Sequence, residues 1–308
     1  MVLVYFVGIL LFSLILIKAT EILLVNLGLI SAQTKVAPFF LSGLVVALAT
    51  SLPELFVGII ASIHGHPNLS LGNVIGSNIA ALSLVIGGVA LVGGAVSVRG
   101  EFLYRDVFYT FLAGAVPMVL LFDKVLSRVD GLILLALYGF YQVAIFSQKD
   151  KNNYRLKTPA TKKEFGWLFL GLALIIFSAD MVVRLAVNLA VVLNIQVLLI
   201  GLVLVSIGTT LPELIFELGA IQKHQPEMVF GNLLGSIVTH SCLVLGIVAL
   251  ITPIRIAGLA EYLLATMAFV VIFGAFYLFV RTKKRLDHWE GAILILIYLA
   301  FVIIEFTR

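Results

Sequence analysis

Two glutamates at matched places carry the clearest chemistry in this chain. Glu54 lies in Thr50-Ser51-Leu52-Pro53-Glu54-Leu55, and Glu213 lies in Thr209-Thr210-Leu211-Pro212-Glu213-Leu214. Each sits in the middle of a long apolar stretch. A carboxylate at the centre of a bilayer is expensive and marks an ion path by default. Two of them suit one Ca²⁺, two Na⁺ or two protons. The proline before each glutamate removes an amide donor and clashes with the carbonyl four residues back. A helix break is therefore expected near Pro53 and again near Pro212. Freed carbonyls and nearby hydroxyls are hard oxygen ligands, suited to Na⁺ and Ca²⁺. Thr50 and Ser51 lie about one helical turn before Glu54, so their oxygens converge on it if the helix breaks there. The plainer reading is a kinked helix whose glutamate bonds a neighbour.

A second motif is also present twice, as Gly72-Asn73-Val74-Ile75-Gly76-Ser77 and Gly231-Asn232-Leu233-Leu234-Gly235-Ser236. Glycines four residues apart let helices pack backbone to backbone. That places Ser77 and Ser236 near the helices that carry the glutamates, where they read as ligands. Asn73 and Asn232 read either as packing bonds between helices or as hydrogen-bond support for the ligands. Glu217 follows Glu213 by four residues, on the same helix face. It lines the cytoplasmic half of a pathway, supplies extra negative charge, or lies at the surface near a helix end.

The elements that position these residues must be membrane helices. The chain has 308 residues, 62% hydrophobic and 12% charged, with a mean hydropathy of +1.17. A soluble chain is nearer half apolar and a quarter charged. The composition excludes a soluble enzyme, a disordered chain and, with Cys242 as the single cysteine, a disulfide scaffold. The basic balance is no nucleic-acid signal, because Lys and Arg of membrane chains gather in cytoplasmic loops. A helix needs about 20 apolar residues to span a bilayer. Ten candidate spans run roughly over 2–30, 36–64, 69–94, 105–122, 129–147, 165–193, 196–222, 227–251, 258–280 and 288–307. The first is read as a retained helix rather than a signal peptide.

Both motifs repeat at an offset of 159 residues, which also matches Pro67 with Pro226 and Gly87 with Gly246. Residues 21 to 87 align with their mates without a gap. Five spans per repeat is an odd number, so the second half enters the membrane from the opposite side. The expected fold is all-α: ten transmembrane helices as two inverted five-helix repeats, with helices 2 and 7 broken. Inverted repeats place an ion site near the midplane where they meet. The boundaries expected are 1–147 for the first repeat, 148–164 for a basic linker and 165–308 for the second repeat. The repeated motifs cover 43–87 and 202–246. The linker holds six of the twenty Lys and Arg, which puts it in the cytoplasm and the N-terminus outside. Loops on the inner side in that orientation carry fourteen Lys and Arg against four outside.

The paired TSLPE and GNVIGS segments resemble the alpha repeats of the calcium/cation antiporter superfamily, and most resemble compact prokaryotic sodium/calcium exchangers. The resemblance extends across nearly the whole chain. It implies that Glu54 and Glu213 bridge a calcium ion and that the carbonyls of Thr50 and Thr209 complete that site. It implies that Ser51, Ser77, Thr210 and Ser236 supply sodium-ligand hydroxyls, with carbonyls from Ala47 and Ser206. It also implies that helices 1 and 6 slide as a pair to alternate access. One position departs from the family pattern. Where Asn or Asp is usual, this chain has Ala81 and, in the second repeat, His240. His240 reads either as a pH-responsive group beside the glutamates or as a neutral histidine bonded inside the bundle.

The function expected is secondary active exchange of Ca²⁺ against Na⁺, by a monomer that meets only lipid and inorganic cations. No cofactor is expected, and no enzymatic or nucleotide-binding motif is present. The rivals are exchange of Ca²⁺ or another cation against H⁺ with His240 in the site, and an uncoupled channel or non-transporting protein of the same fold. Lys18 with Glu21 and Asp180 with Arg184 read as structural ion pairs. His64 and His66 read as residues of a solvated loop.

Overall fold

A computed structural model describes residues 1–31, 48, 50–97, 102–146, 162–256 and 259–307. Its helical runs are α1 (Val2–Ser31), α2 (Leu52–Ile63), α3 (Pro67–Gly93), α4 (Phe102–Leu120) and α5 (Arg128–Phe146). They continue as α6 (Lys162–Leu193), α7 (Val197–Gln222), α8 (Pro226–Ile251), α9 (Leu259–Lys283) and α10 (His288–Thr307). Among the described residues, eight helices are long and apolar enough to cross a membrane, and α2 is a shorter apolar helix. Ala47 and most of the 148–164 linker lie outside the described residues.

The side chains are distributed inside out relative to a soluble protein. α1 exposes Leu3, Val4, Val7, Leu11 and Leu14, while Glu54, Asn73, Ser77, Glu213, Asn232 and Ser236 are buried. Helices satisfy their own backbone, so an apolar outer face can meet lipid while polar groups gather inside. Burial sets the order of the layers. In α3 and α8, 83% and 78% of the spanning stretch is buried, against 28–33% in α1, α4, α6, α9 and α10. α3 and α8 therefore form the centre, with α2 and α7 against them. α1 packs along α6 at the side of this group.

Contacts recur at the repeat offset. A Cβ added at Gly87 would lie 2.7 Å from the Gly291 carbonyl, and one at Gly131 would lie 2.8 Å from the Gly246 carbonyl. Gly87 and Gly246 are repeat mates, so α3 meets α10 as α8 meets α5. Short ribbons at the helix ends follow the same rule. β1 (Val96–Ser97) pairs antiparallel with β4 (Arg285–Leu286), and β2 (Val125–Leu126) pairs with β3 (Ile254–Arg255). The entries to α5 and α10 are capped alike. The Ser127 amide donates to Asp130 at 2.8 Å, and the Asp287 amide donates to Glu290 at 2.8 Å. A hydrogen bond from Lys283, aided by Arg285, holds the Asp287 carboxyl below its ordinary range.

The two prolines do not act alike. In the first repeat, α2 starts at Leu52 with Pro53 in its first turn, where a missing amide leaves no bond unmade. In the second, the stretch Ser206–Gln222 runs through Pro212 as one helix. The break expected at Pro212 is absent, because one lost amide removes a single rung and the neighbouring rungs hold. The irregularity lies upstream, as a π-helical turn at Gly201–Val205. Similar wide turns occur at Ala81–Val85 in α3 and Thr239–Val244 in α8, at repeat-equivalent places. Such turns are frequent at functional sites.

Gly72 and Gly76 press α3 onto α7. A Cβ at either would run into the carbonyl of Leu198 or Leu202. Overpacking of this kind costs about 1–3 kcal/mol. Gly76→Ala is expected to lower the thermal midpoint of the detergent-purified protein. Gly139→Ala, where a Cβ meets open space, is expected to leave it unchanged. Equal midpoints for the two variants would contradict the close α3–α7 contact.

Candidate functional site

The two motifs of each repeat meet at the centre of the bundle, and they meet crosswise. The Thr50 hydroxyl on the α2 side donates to Asn232 Oδ1 on α8 at 3.0 Å. The Thr209 hydroxyl on α7 donates to Asn73 Oδ1 on α3 at 3.1 Å. Thr50 also lies 3.4 Å from the Ser236 hydroxyl, and Thr209 lies 3.4 Å from that of Ser77. Each threonine of one repeat thus bonds the asparagine and serine of the other. On the α3–α7 side, Gly72 and Gly76 let the helices approach and bring Asn73 and Ser77 into reach of Thr209.

Glu54 and Glu213 lie inside this lattice, both fully buried. The Ser77 hydroxyl donates to Glu54 Oε1 at 3.3 Å. The other Glu54 oxygen and both Glu213 oxygens have no hydrogen-bond partner among the described residues. His240 faces both carboxylates, its Nε2 3.6 Å from Glu213 Oε1 and 3.8 Å from Glu54 Oε2. One ligand atom from each of Glu54, Glu213 and His240 falls within 4.8 Å of the others, and all three residues are buried. Burying carboxylates without compensating charge costs several kcal/mol each in effective terms. The three donor atoms lie close enough together to hold a cation.

The remaining expected residues are placed as follows. Ser51 is 1% exposed at the N-cap of α2, and Thr210 is 3% exposed on α7. The Thr210 hydroxyl donates to the Ser206 carbonyl at 2.6 Å, and the Thr209 hydroxyl reaches the same carbonyl at 3.3 Å. The Ser206 hydroxyl is spent on Leu202 at 2.6 Å. The Ser206 carbonyl is thus already an acceptor for two hydroxyls of its own helix. Glu217 is fully buried, and Asn232 Nδ2 donates to it at 3.3 Å. A surface position for Glu217 is thereby overturned.

Asn232 bridges Thr50 and Glu217, whereas Asn73 has no such second bond. Its Nδ2 lacks a partner among the described residues, because the repeat mate of Glu217 is Gly58. Asn78 and Ser241 were not singled out by the sequence. Asn78 Nδ2 donates to the Ser241 hydroxyl at 2.8 Å, and Asn78 Oδ1 lies 3.2 Å from His240 Nδ1. Their repeat mates are Ile237 and Leu82, so a search for matched polar pairs passes over them. The signal that could have found Asn78 is its place directly after the repeated GNVIGS motif.

The ion pairs away from the centre are structural. Lys18 meets Glu21 at 2.7 Å in an exposed pair, and Arg184 meets Asp180 at 2.7 Å. His64 is not merely solvated, because its Nε2 lies 3.2 Å from Asp180. It links the end of α2 to α6.

Asn232→Leu removes an acceptor from Thr50 and a donor from Glu217, while Asn73→Leu removes only the acceptor of Thr209. Leaving a buried polar group unsatisfied costs about 1–3 kcal/mol. Both variants are expected to be destabilised, Asn232→Leu the more so, in thermal unfolding followed by tryptophan fluorescence. The reverse order would contradict the double bond of Asn232.

Known proteins share this sequence and fold. The family model described as "Sodium/calcium exchanger protein" matches residues 4–147 and 163–307. The inner membrane protein YrbG of Escherichia coli strain K12 is 34% identical over 238 residues, 73% of each chain. The sodium/calcium exchanger MaX1 of Methanosarcina acetivorans is 26% identical over 351 aligned positions, 99% of each chain. The crystal structure of the H⁺/Ca²⁺ exchanger CAX has the same fold, with a TM-score of 0.75 at 15% identity. That likeness covers 98% of this chain and 87% of that one. A match across both halves, through the motifs that meet at the buried carboxylates, makes this chain a member of the sodium/calcium exchanger protein family.

Proposed function

We propose that this protein exchanges Na⁺ for Ca²⁺ across a cell membrane, through the site around Glu54 and Glu213. The observation that carries the reading is the meeting of these two fully buried carboxylates at equivalent places in the two repeats. A buried site holding two ionised carboxylates is costly unless their charge is neutralised. One Ca²⁺, a set of Na⁺ ions or protons on the carboxylates meet that need. Exchange follows, because the closed intermediate between the two sides forms readily only when loaded. Thr50, Thr209, Ser77 and Ser236 offer oxygens beside the carboxylates. Ser51, Thr210 and Ser206 serve sodium once α7 or the α2 entry loosens. The family resemblance adds the carbonyl of Ala47, a residue outside those described.

In this reading the ten helical runs are ten spans, in two inverted repeats divided by the cytoplasmic 148–164 segment. The ribbons support it. β1 and β4 belong to loops assigned to the cytoplasm, and β2 and β3 belong to loops assigned to the outside. α1 and α6, packed on each other beside the central four helices, are the pair that would slide. The carrier works as a monomer, since both carboxylates come from one chain. A carrier that acts by binding and occlusion needs no cofactor and performs no enzymatic chemistry.

A second reading, Ca²⁺/H⁺ exchange, is favoured by one observation: His240 stands 3.6–3.8 Å from both carboxylates. Calcium uptake into proteoliposomes separates the two. With sodium inside and none outside at equal pH, uptake is expected in the wild type. Glu54→Gln and Glu213→Gln are each expected to lose uptake by at least about tenfold, the loss of one full charge from a two-carboxylate site. Uptake driven by a pH gradient alone, and indifferent to sodium, would replace the first reading with the second. Ohmic calcium current without any coupling would overturn both.

A further inference from the structure

The hydrogen bonds behind His240 determine which of its nitrogens faces the site. Asn78 Nδ2 is engaged with the Ser241 hydroxyl at 2.8 Å, which turns the carbonyl oxygen of Asn78 toward His240. That oxygen lies 3.2 Å from Nδ1 and can only accept. With the Asn78 amide in this orientation Nδ1 carries the hydrogen, and the neutral ring presents the lone pair of Nε2 on its other side. Nε2 is fully buried, has no hydrogen-bond partner among the described residues, and points at Glu54 and Glu213. The separations, 3.6 and 3.8 Å, are too long for hydrogen bonds. Three electron-pair donors, one nitrogen and two carboxylates, converge there.

We propose that the site takes a first-row divalent transition-metal ion, Zn²⁺ or Co²⁺ more tightly than Mn²⁺, with His240 Nε2 as a direct ligand. The inference rests on the reading of Glu54 and Glu213 as cation ligands and names a further substrate of that site. Ca²⁺ is a hard ion that takes oxygen ligands. Imidazole nitrogen suits the later first-row dications, and mixed nitrogen–oxygen sets favour them over Ca²⁺. A ligating histidine almost always donates its other ring N–H to a carbonyl or carboxylate, which fixes the ring and raises its basicity. Asn78 supplies that partner here, and Ser241 fixes Asn78. Asn78 is thus a positioning residue. The asymmetry of the repeats fits the same role: the mate of His240 is Ala81, which offers no side-chain donor. One nitrogen faces a pair of oxygens, with nothing opposite to restore a hard, all-oxygen shell.

The test uses the purified full-length protein with Mn²⁺ as probe. Pulsed electron paramagnetic resonance of bound Mn²⁺ is expected to show coupling to one directly bound imidazole nitrogen. His240→Asp is expected to keep binding but lose that coupling, and to shift the Mn²⁺-over-Ca²⁺ preference toward Ca²⁺ by about tenfold, the scale of one ligand exchange. Asn78→Leu is expected to weaken Mn²⁺ by about 10–100-fold, as loss of a ligand's hydrogen-bond partner does. Asn78→Asp, which still offers an acceptor to Nδ1, is expected to restore it. Thermal midpoints of all variants establish that they are folded. Bound Mn²⁺ without nitrogen coupling would overturn the inference while leaving the carboxylate site intact. So would an unchanged Mn²⁺/Ca²⁺ ratio in His240→Asp. A folded wild type that binds neither ion would sink the carboxylate reading itself.

Discussion

The structure depends on one constraint: carboxyl groups buried at the centre of an apolar bundle. Glu54, Glu213 and Glu217 are all fully buried. Ionised carboxylates in such a place repel each other and have lost water. The surrounding features are answers to that cost. Among the described residues, α2, α3, α7 and α8 carry most of the buried polar side chains, and the outer helices carry the apolar face. Hydroxyls and amides reach the centre from both repeats. The close approach of α3 to α7, set by Gly72 and Gly76, is what allows side chains as short as serine and threonine to act there. Without glycine at those places the helices would stand apart, and the carboxylates would be left to one another.

The crossed hydrogen bonds have a mechanical meaning. Thr50 holds α2 to α8, and Thr209 holds α7 to α3. A cation that draws the hydroxyl and carboxylate oxygens toward itself necessarily pulls on both links. In the proposed exchange, ion binding and helix position would be coupled through this contiguous set of side chains, the kind of physical connection that can favour one of two arrangements. The second repeat carries a further load, because Asn232 is tied to Glu217 as well. The two halves are alike in layout and unequal in electrostatics.

Much of this was legible in the sequence. The glutamates, the glycine-spaced motifs and their facing arrangement follow from two matched patterns at one offset. The position of His240 beside the carboxylates was legible too, since it falls where the family pattern places a polar ligand. Other parts were not. Pro212 sits inside a continuous α7, because one missing amide does not outweigh the rungs on either side. The π turns that adjust helix phase leave no composition signal. Asn78 and Ser241 escaped because they break the repeat, and a search for symmetry is blind to asymmetry. Glu217 was ambiguous because helical spacing gives a face without saying what covers it. Here α8 covers it, through Asn232.

In the proposed reading, the departures from symmetry are where selectivity is set. A pair of equivalent carboxylates fixes only that a cation is welcome, and its charge. Discrimination among cations requires donors of different kinds at definite places. In this chain those donors come from unmatched residues: His240 against Ala81, Asn78 against Ile237, Glu217 against Gly58. All three lie on or beside the central helices, and all three are buried. They alter the donor type, the ring orientation and the net charge of the site without disturbing the crossed links between repeats. A symmetric frame with an asymmetric lining can change its cargo while keeping its motion. Family membership therefore fixes the architecture of this protein more tightly than it fixes the ion.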